Sequence, residues 1–185
     1  MRKIKVEKII RKFKELSEEE QDKIIEEEID LELESTDMWS YDTIIHFIYE
    51  VKEKTDIEIE ENNIIWSVGN RYGILGIFSS VISNYFELKY EDKGVYDIDI
   101  PNKIGSHTEM GLAKVYFDNE YNATEEKKKE IIAEINEKID IIIELCVKYY
   151  KRLENNYQEM ISYDNKRKFL EEVNYEYDEE LKLIN

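Results

Sequence analysis

The chain has one cysteine, one proline and six glycines in 185 residues. A lone cysteine, Cys146, excludes an intramolecular disulfide. It falls on a helical apolar stripe, where a buried thiol acts as a small hydrophobe. No stretch rich in Pro, Gly or Ser divides the chain, and Pro101 ends a strand. No apolar run approaches about 18 residues, so no membrane span is expected. The charged start, Met1-Arg2-Lys3-Ile4-Lys5, leads into no apolar signal core, and a cytoplasmic protein is expected, in its own cell or in an infected host. Catalytic signatures are also missing: there is no G-x-S-x-G elbow, H-E-x-x-H, C-x-x-C, EF-hand or phosphate-binding glycine loop. The glycines from Gly69 to Gly76 read as a hairpin loop, with Arg71 and Tyr72 at its tip.

What is abundant is acid. Forty-four Asp and Glu face 26 Lys and Arg, a formal charge of −18. Such a surface repels nucleic-acid backbones and anionic membranes, and it suits partners that are themselves basic. Apolar residues make up 42% of the chain, enough for a real core and against global disorder. Heavy use of Ile, Lys, Asn, Tyr and Glu together suggests AT-rich coding.

The organising stretch runs from Thr124 to Ile161. Ile132, Ile135, Ile139, Ile142, Cys146, Tyr149, Leu153, Tyr157 and Met160 recur there every three or four residues, one side of a helix roughly 55 Å long. Ahead of it, residues 4–15 show helical spacing with seven bases between Arg2 and Lys14. Ser17 and Glu20 form a capping-box pattern that opens a second helix. A third starts at Ser40 or Asp42 and ends near Thr55, with His46 expected at the core or its boundary.

From Asp56 the period becomes two. Ile57 and Ile59 read as a short strand, and Ile64–Val68 with Ile74–Phe78 as a hairpin. Residues 81–88 fit helix or strand. Tyr96, Ile98 and Ile100 alternate with Asp97 and Asp99 as a strand; Asn102–Ser106 reads as a loop, and Met110–Phe117 as a last central strand. After Met160 a short helix capped by Asp164 and a tail hairpin about Asp178–Glu180 are expected. The whole predicts a single α+β domain over 1–185: helical 1–55, a small, mostly antiparallel sheet in 56–123 packed against helices, one long C-terminal helix over 124–161, then a short helix and tail over 162–185.

The sharpest candidate site is the second helix. Eleven acids and one base, Lys23, lie between Glu18 and Asp37. Carboxylates three or four apart on a helix stand about 5–6 Å from one another. Glu19, Asp22, Glu26 and Asp30 make one row, and Glu20 and Glu27 lie on neighbouring ones. Such a row mimics the charge ladder of a nucleic-acid backbone, unless the basic segment Arg2–Lys14 folds against it. These six residues are the expected partner-binding site, with no catalytic residue, cofactor or metal. The expected partner is a basic nucleic-acid-binding protein rather than nucleic acid or membrane. Two other readings remain: self-association as a homodimer along the long helix's apolar seam, as a structural or adaptor protein, and a metal-dependent enzyme using Asp97, Asp99, His107 and Glu109.

Several stretches carry a family likeness. Leu16-Ser17-Glu18-Glu19 opens a helix, and Trp39 precedes the next. Ile64-Ile65-Trp66-Ser67 leads through the glycine loop to Ile77-Phe78, and His107 follows. A late helix ends in Tyr149-Tyr150-Lys151-Arg152-Leu153-Glu154-Asn155-Asn156-Tyr157, then Asn174-Tyr175-Glu176-Tyr177. In these the chain resembles small acidic uncharacterised proteins encoded by phages and prophages of low-GC bacteria. The resemblance implies mobile-element biology, in which acidic proteins block host nucleases as anti-CRISPR or antirestriction inhibitors.

Overall fold

The two kinds of periodicity resolve into twelve named elements: β1 (Arg11–Lys12), α1 (Glu18–Glu27), α2 (Met38–Thr55), β2 (Ile64–Ser67), β3 (Ile74–Phe78), α3 (Ser79–Tyr90), β4 (Val95–Asp99), β5 (Lys103–Gly105), β6 (Lys114–Phe117), α4 (Glu125–Met160), α5 (Tyr163–Glu172) and β7 (Glu176–Tyr177). The computed structural model describes residues 9–27, 38–68, 73–101, 103–108, 110, 113–118, 124–173 and 175–184, with backbone alone at Glu27, Met38 and Trp39. It is a mixed α+β fold with a small antiparallel sheet packed against helices and one long C-terminal helix. A single domain is the expectation from sequence; the packing divides into two compact units, Met38–Asn156 and Met1–Asp37 with Tyr157–Asn185.

In the larger unit, α4 supplies the spine. Its buried stripe is Ile131, Ile135, Ile139, Ile142, Cys146, Tyr149 and Leu153, widened by Ile143 and Leu145. The stripe begins at Ile131 rather than Ile132, which is half-buried. Burying each large aliphatic side chain stabilises by about 1.5–3 kcal/mol. From Ile131 to Leu153 this stripe is covered by residues of α2, α3 and the strands.

Ile44, Phe47 and Val51 of α2 share one face and lie in the same core, where the Phe47 ring meets the Tyr149 ring edge-on at 5.6 Å. His46 lies outside that face and is exposed, contrary to the expectation of a core or boundary histidine. The end of α2 is closed from a distance. Lys138 Nζ donates to the Thr55 carbonyl at 2.5 Å and reaches Asp56 at 3.3 Å, placing a cation on orphan carbonyls at the negative end of the helix.

Beyond it Ile57 and Ile59 are buried while Glu58 and Glu60 are exposed. The alternation is real, but the segment is extended chain without a ladder partner among the described residues. The expected hairpin forms, with Ile64 opposite Ile77 and Ser67 opposite Ile74. A third strand, β5, extends it inside the expected loop, pairing Gly105 with Gly76. These strands approach closely: a Cβ on Gly76 would stand 2.8 Å from the Ile104 carbonyl oxygen. Residues 79–90 are helical because Ile82, Phe86 and Tyr90 fall four apart on the buried face. Gly94 then takes φ 76, the left-handed turn that glycine permits, and leads into β4.

β4 and β6 form a separate two-stranded ribbon, so β6 is not the central strand of a larger sheet. Its register shifts between Val95 and Asp97. The bulge lets Val95 and Ile98 both face inward and turns Tyr96 out, against the simple alternation expected.

The smaller unit has its own core of Phe13, Leu16, Ile24, Ile25, Leu170 and Tyr177. The helix expected over 4–15 is absent from the part described, residues 9–15. Arg11 and Lys12 instead pair with Tyr177 and Glu176, and one 3-10 turn, Phe13–Glu15, follows. Phe13 and Leu16, three apart, both still reach the core. Gln21 ties this turn to α1, its Nε2 donating to the Phe13 and Leu16 carbonyls. Ser162, not Asp164, caps α5 by accepting from the Asn165 N–H. The tail folds back as expected: Tyr177 bridges Leu183, and the Asp178 N–H donates to the Lys182 carbonyl at 3.1 Å. No helix among the described residues is long and apolar enough to cross a membrane.

Candidate functional site

The acidic helix starts as its sequence dictates. The Ser17 N–H donates to Glu20 Oε2 at 2.9 Å, and the Glu20 N–H points back to Ser17 Oγ at 3.4 Å, a capping box. The same carboxylate also takes a bidentate fork from Arg11, at 3.0 and 2.8 Å. The Arg11 guanidinium first, then the Ser17 backbone and hydroxyl, hold the Glu20 carboxyl down to about 2. Among the described residues, the basic N-terminal segment thus meets this helix at Arg11.

Asp22 accepts from the Tyr163 hydroxyl, a bond that pushes the phenol upward. Glu19 and Glu26 are exposed. Lys23 is exposed too and lies four residues after Glu19 and three before Glu26, on the same helical face. The Glu27 side chain and Asp30 lie outside the described residues. Of the six expected partner-binding residues, two are thus engaged within the chain and two face solvent with a lysine between them.

The metal-ligand candidates separate. Asp97 and Asp99 are exposed on β4 in the two-stranded ribbon. His107 follows β5 of the other sheet. Its Nε2–H donates to the Gly73 carbonyl at 2.8 Å, and its ring meets the Tyr150 edge at 6.0 Å. Glu109 lies outside the described residues, among which no three His, Cys, Asp or Glu side chains converge. Cys146 is fully buried, and burial pushes its thiol up to about 12. At neutral pH it carries no thiolate to act as nucleophile.

Among the described residues of the larger unit, two grooves stand out. One, of about 550 Å³, runs along α2 between Ile45, Ile48, Tyr49 and Ile59, with the Lys52–Glu58 ion pair on its rim at 2.6 Å. The other, of about 470 Å³, lies between α3 and β4 and is lined by Asn84, Glu87, Leu88, Glu91, Val95 and Tyr96. Beside it Tyr116 of β6 leans on Tyr96, ring centres 6.3 Å apart. Leu88 and Tyr96 are 75% and 62% exposed, side by side on this groove. Sequence reasoning placed Tyr96 inward. The missed signal is Val95, whose apolar character is out of phase with Ile98 unless a bulge intervenes.

Compared with family models, with curated proteins and with solved structures, the chain matches none.

Proposed function

We propose that the protein is a non-enzymatic acidic inhibitor. It binds a basic nucleic-acid-binding surface on a host defence nuclease, of the kind that anti-CRISPR and antirestriction proteins block. The supporting observation is how the charge is divided. Twenty-one acids against 12 bases fall in the smaller unit, and 23 against 14 in the larger, so each carries −9. The excess belongs to both units rather than to one acidic tail. Such a field raises the encounter rate with a basic cleft and weakens steeply with salt. The α1 row contributes through Glu19 and Glu26, while Glu20 and Asp22 are already used to hold the smaller unit together.

The test is capture from a host lysate at low salt, elution with salt, and a cleavage assay on the eluted enzyme. A nucleic-acid enzyme that the protein inhibits at low salt, and that salt releases, supports the proposal. Retention of proteins with no basic nucleic-acid site, or unchanged cleavage, removes it.

A further inference from the structure

The groove between α3 and β4 combines features that the general acidity does not explain. Its floor and lip are apolar: Val95 is buried, while Leu88 and Tyr96 stand out into solvent. Its charged residues, Glu87 and Glu91, are both acids. The neighbouring cations are turned elsewhere. Lys89 pairs with Glu134 at 2.5 Å, and the ammonium groups of Lys89 and Lys93 lie 5.3 and 4.9 Å from the Tyr90 ring centre. An apolar slot rimmed by carboxylates, with its nearby lysines withdrawn, complements one chemistry.

We propose that this groove docks an extended, arginine-bearing apolar segment of a partner protein. Glu87 lies in the last turns of α3 and Glu91 opens the 3-10 turn that follows Tyr90, so both stand on the α3 side of the slot. Side chains on one side of an extended peptide recur every second residue, about 7 Å. Arginines on one side of the segment meet Glu87 and Glu91, while the alternate apolar side chains turn to the β4 side, onto Val95 and Tyr96. Tyr96, leaning on Tyr116, offers those apolar side chains a ring to pack on. This deepens the reading of the protein as a binder of basic partners and rests on it: charge brings the partner, and the groove selects what it holds.

The probe is a fluorescent nonapeptide of alternating Arg and Leu, titrated with the full protein by anisotropy. A peptide of alternating Arg and Ser with the same charge is the comparison. The Arg-Leu peptide is expected to bind roughly tenfold tighter, and Glu87→Lys with Glu91→Lys to weaken it roughly tenfold or more. Tyr96→Ser should remove the preference for Leu over Ser. Glu19→Lys with Glu26→Lys, on α1, should leave that preference intact. Unfolded circular dichroism in the groove variant is met by Tyr96→Ser, whose side chain is outside the core. Equal binding of the two peptides, or equal losses from groove and α1 variants, overturns the groove while leaving an unspecific acidic binder. A dimer that Tyr96→Ser makes monomeric assigns the groove to a second copy and overturns the proposal as well.

Discussion

Glu50 allows a test of how α2 is fastened to α4. Its side chain is 17% exposed. Oε2 accepts from Lys148 Nζ at 2.6 Å and from the Tyr149 hydroxyl at 2.7 Å, and Oε1 lies 2.9 Å from Lys54 Nζ. Lys148 first, then Lys54 and Tyr149, lower its carboxyl to about 2, against 4.5 unperturbed. Because the folded value is depressed, this group's stabilisation is complete above pH 4.5 and is lost as pH falls from there towards 2. The full shift corresponds to roughly 3 kcal/mol. Lys148 and Lys54 are 58% and 49% exposed, and solvent screening brings the expected figure down to about 1–2 kcal/mol.

The perturbation is Glu50→Gln, which keeps the shape and one acceptor but removes the charge. The assay is urea unfolding followed by tryptophan fluorescence at pH 7 and at pH 2. Both tryptophans, Trp39 and Trp66, belong to the larger unit, so the signal reports the unit that contains Glu50. The variant should lose about 1–2 kcal/mol at pH 7 and almost nothing at pH 2. An equal loss at both pH values would show that packing, not charge, carries the contact, and the reasoning fails.

Three further outcomes follow from the core and the strands. Ile139→Ala empties a buried position on α4 and should cost about 2–5 kcal/mol, read by the same unfolding curves. Gly76→Ala sets a Cβ against the backbone of the facing strand and should cost about 1–3 kcal/mol, whereas an unchanged midpoint would mean the strands separate freely. The Cys146 thiol, held up to about 12 by burial, should react with a disulfide reagent at pH 8 only as fast as the unit opens; prompt labelling of native protein contradicts its placement.

Much of the architecture is legible where one face of an element is buried. α4, the β2–β3 hairpin and the Ser17–Glu20 cap follow from spacing and local chemistry, because burial on one side leaves a periodic trace. The rest depends on partners far along the chain. Arg11 and Lys12 carry a helical pattern yet form a strand, since Glu176 and Tyr177 supply its ladder. β5 is three residues long and holds a glycine, too short for any period to register. The candidate surfaces were least legible. Counting carboxylates on α1 identifies Glu19 and Glu26, but not that Arg11 forks onto Glu20 or that Tyr163 reaches Asp22. The α3–β4 groove exists because a bulge reverses Tyr96, a geometric event with only Val95 to announce it.

The ammonium that closes α2 arrives from 83 residues downstream. While the polypeptide is being synthesised, the Thr55 carbonyl therefore has only water to accept from until Lys138 has emerged. Because Ile135, Ile139 and Ile142 belong to the same core as Phe47, Leu75 and Phe86, that core is complete only when the spine has joined it.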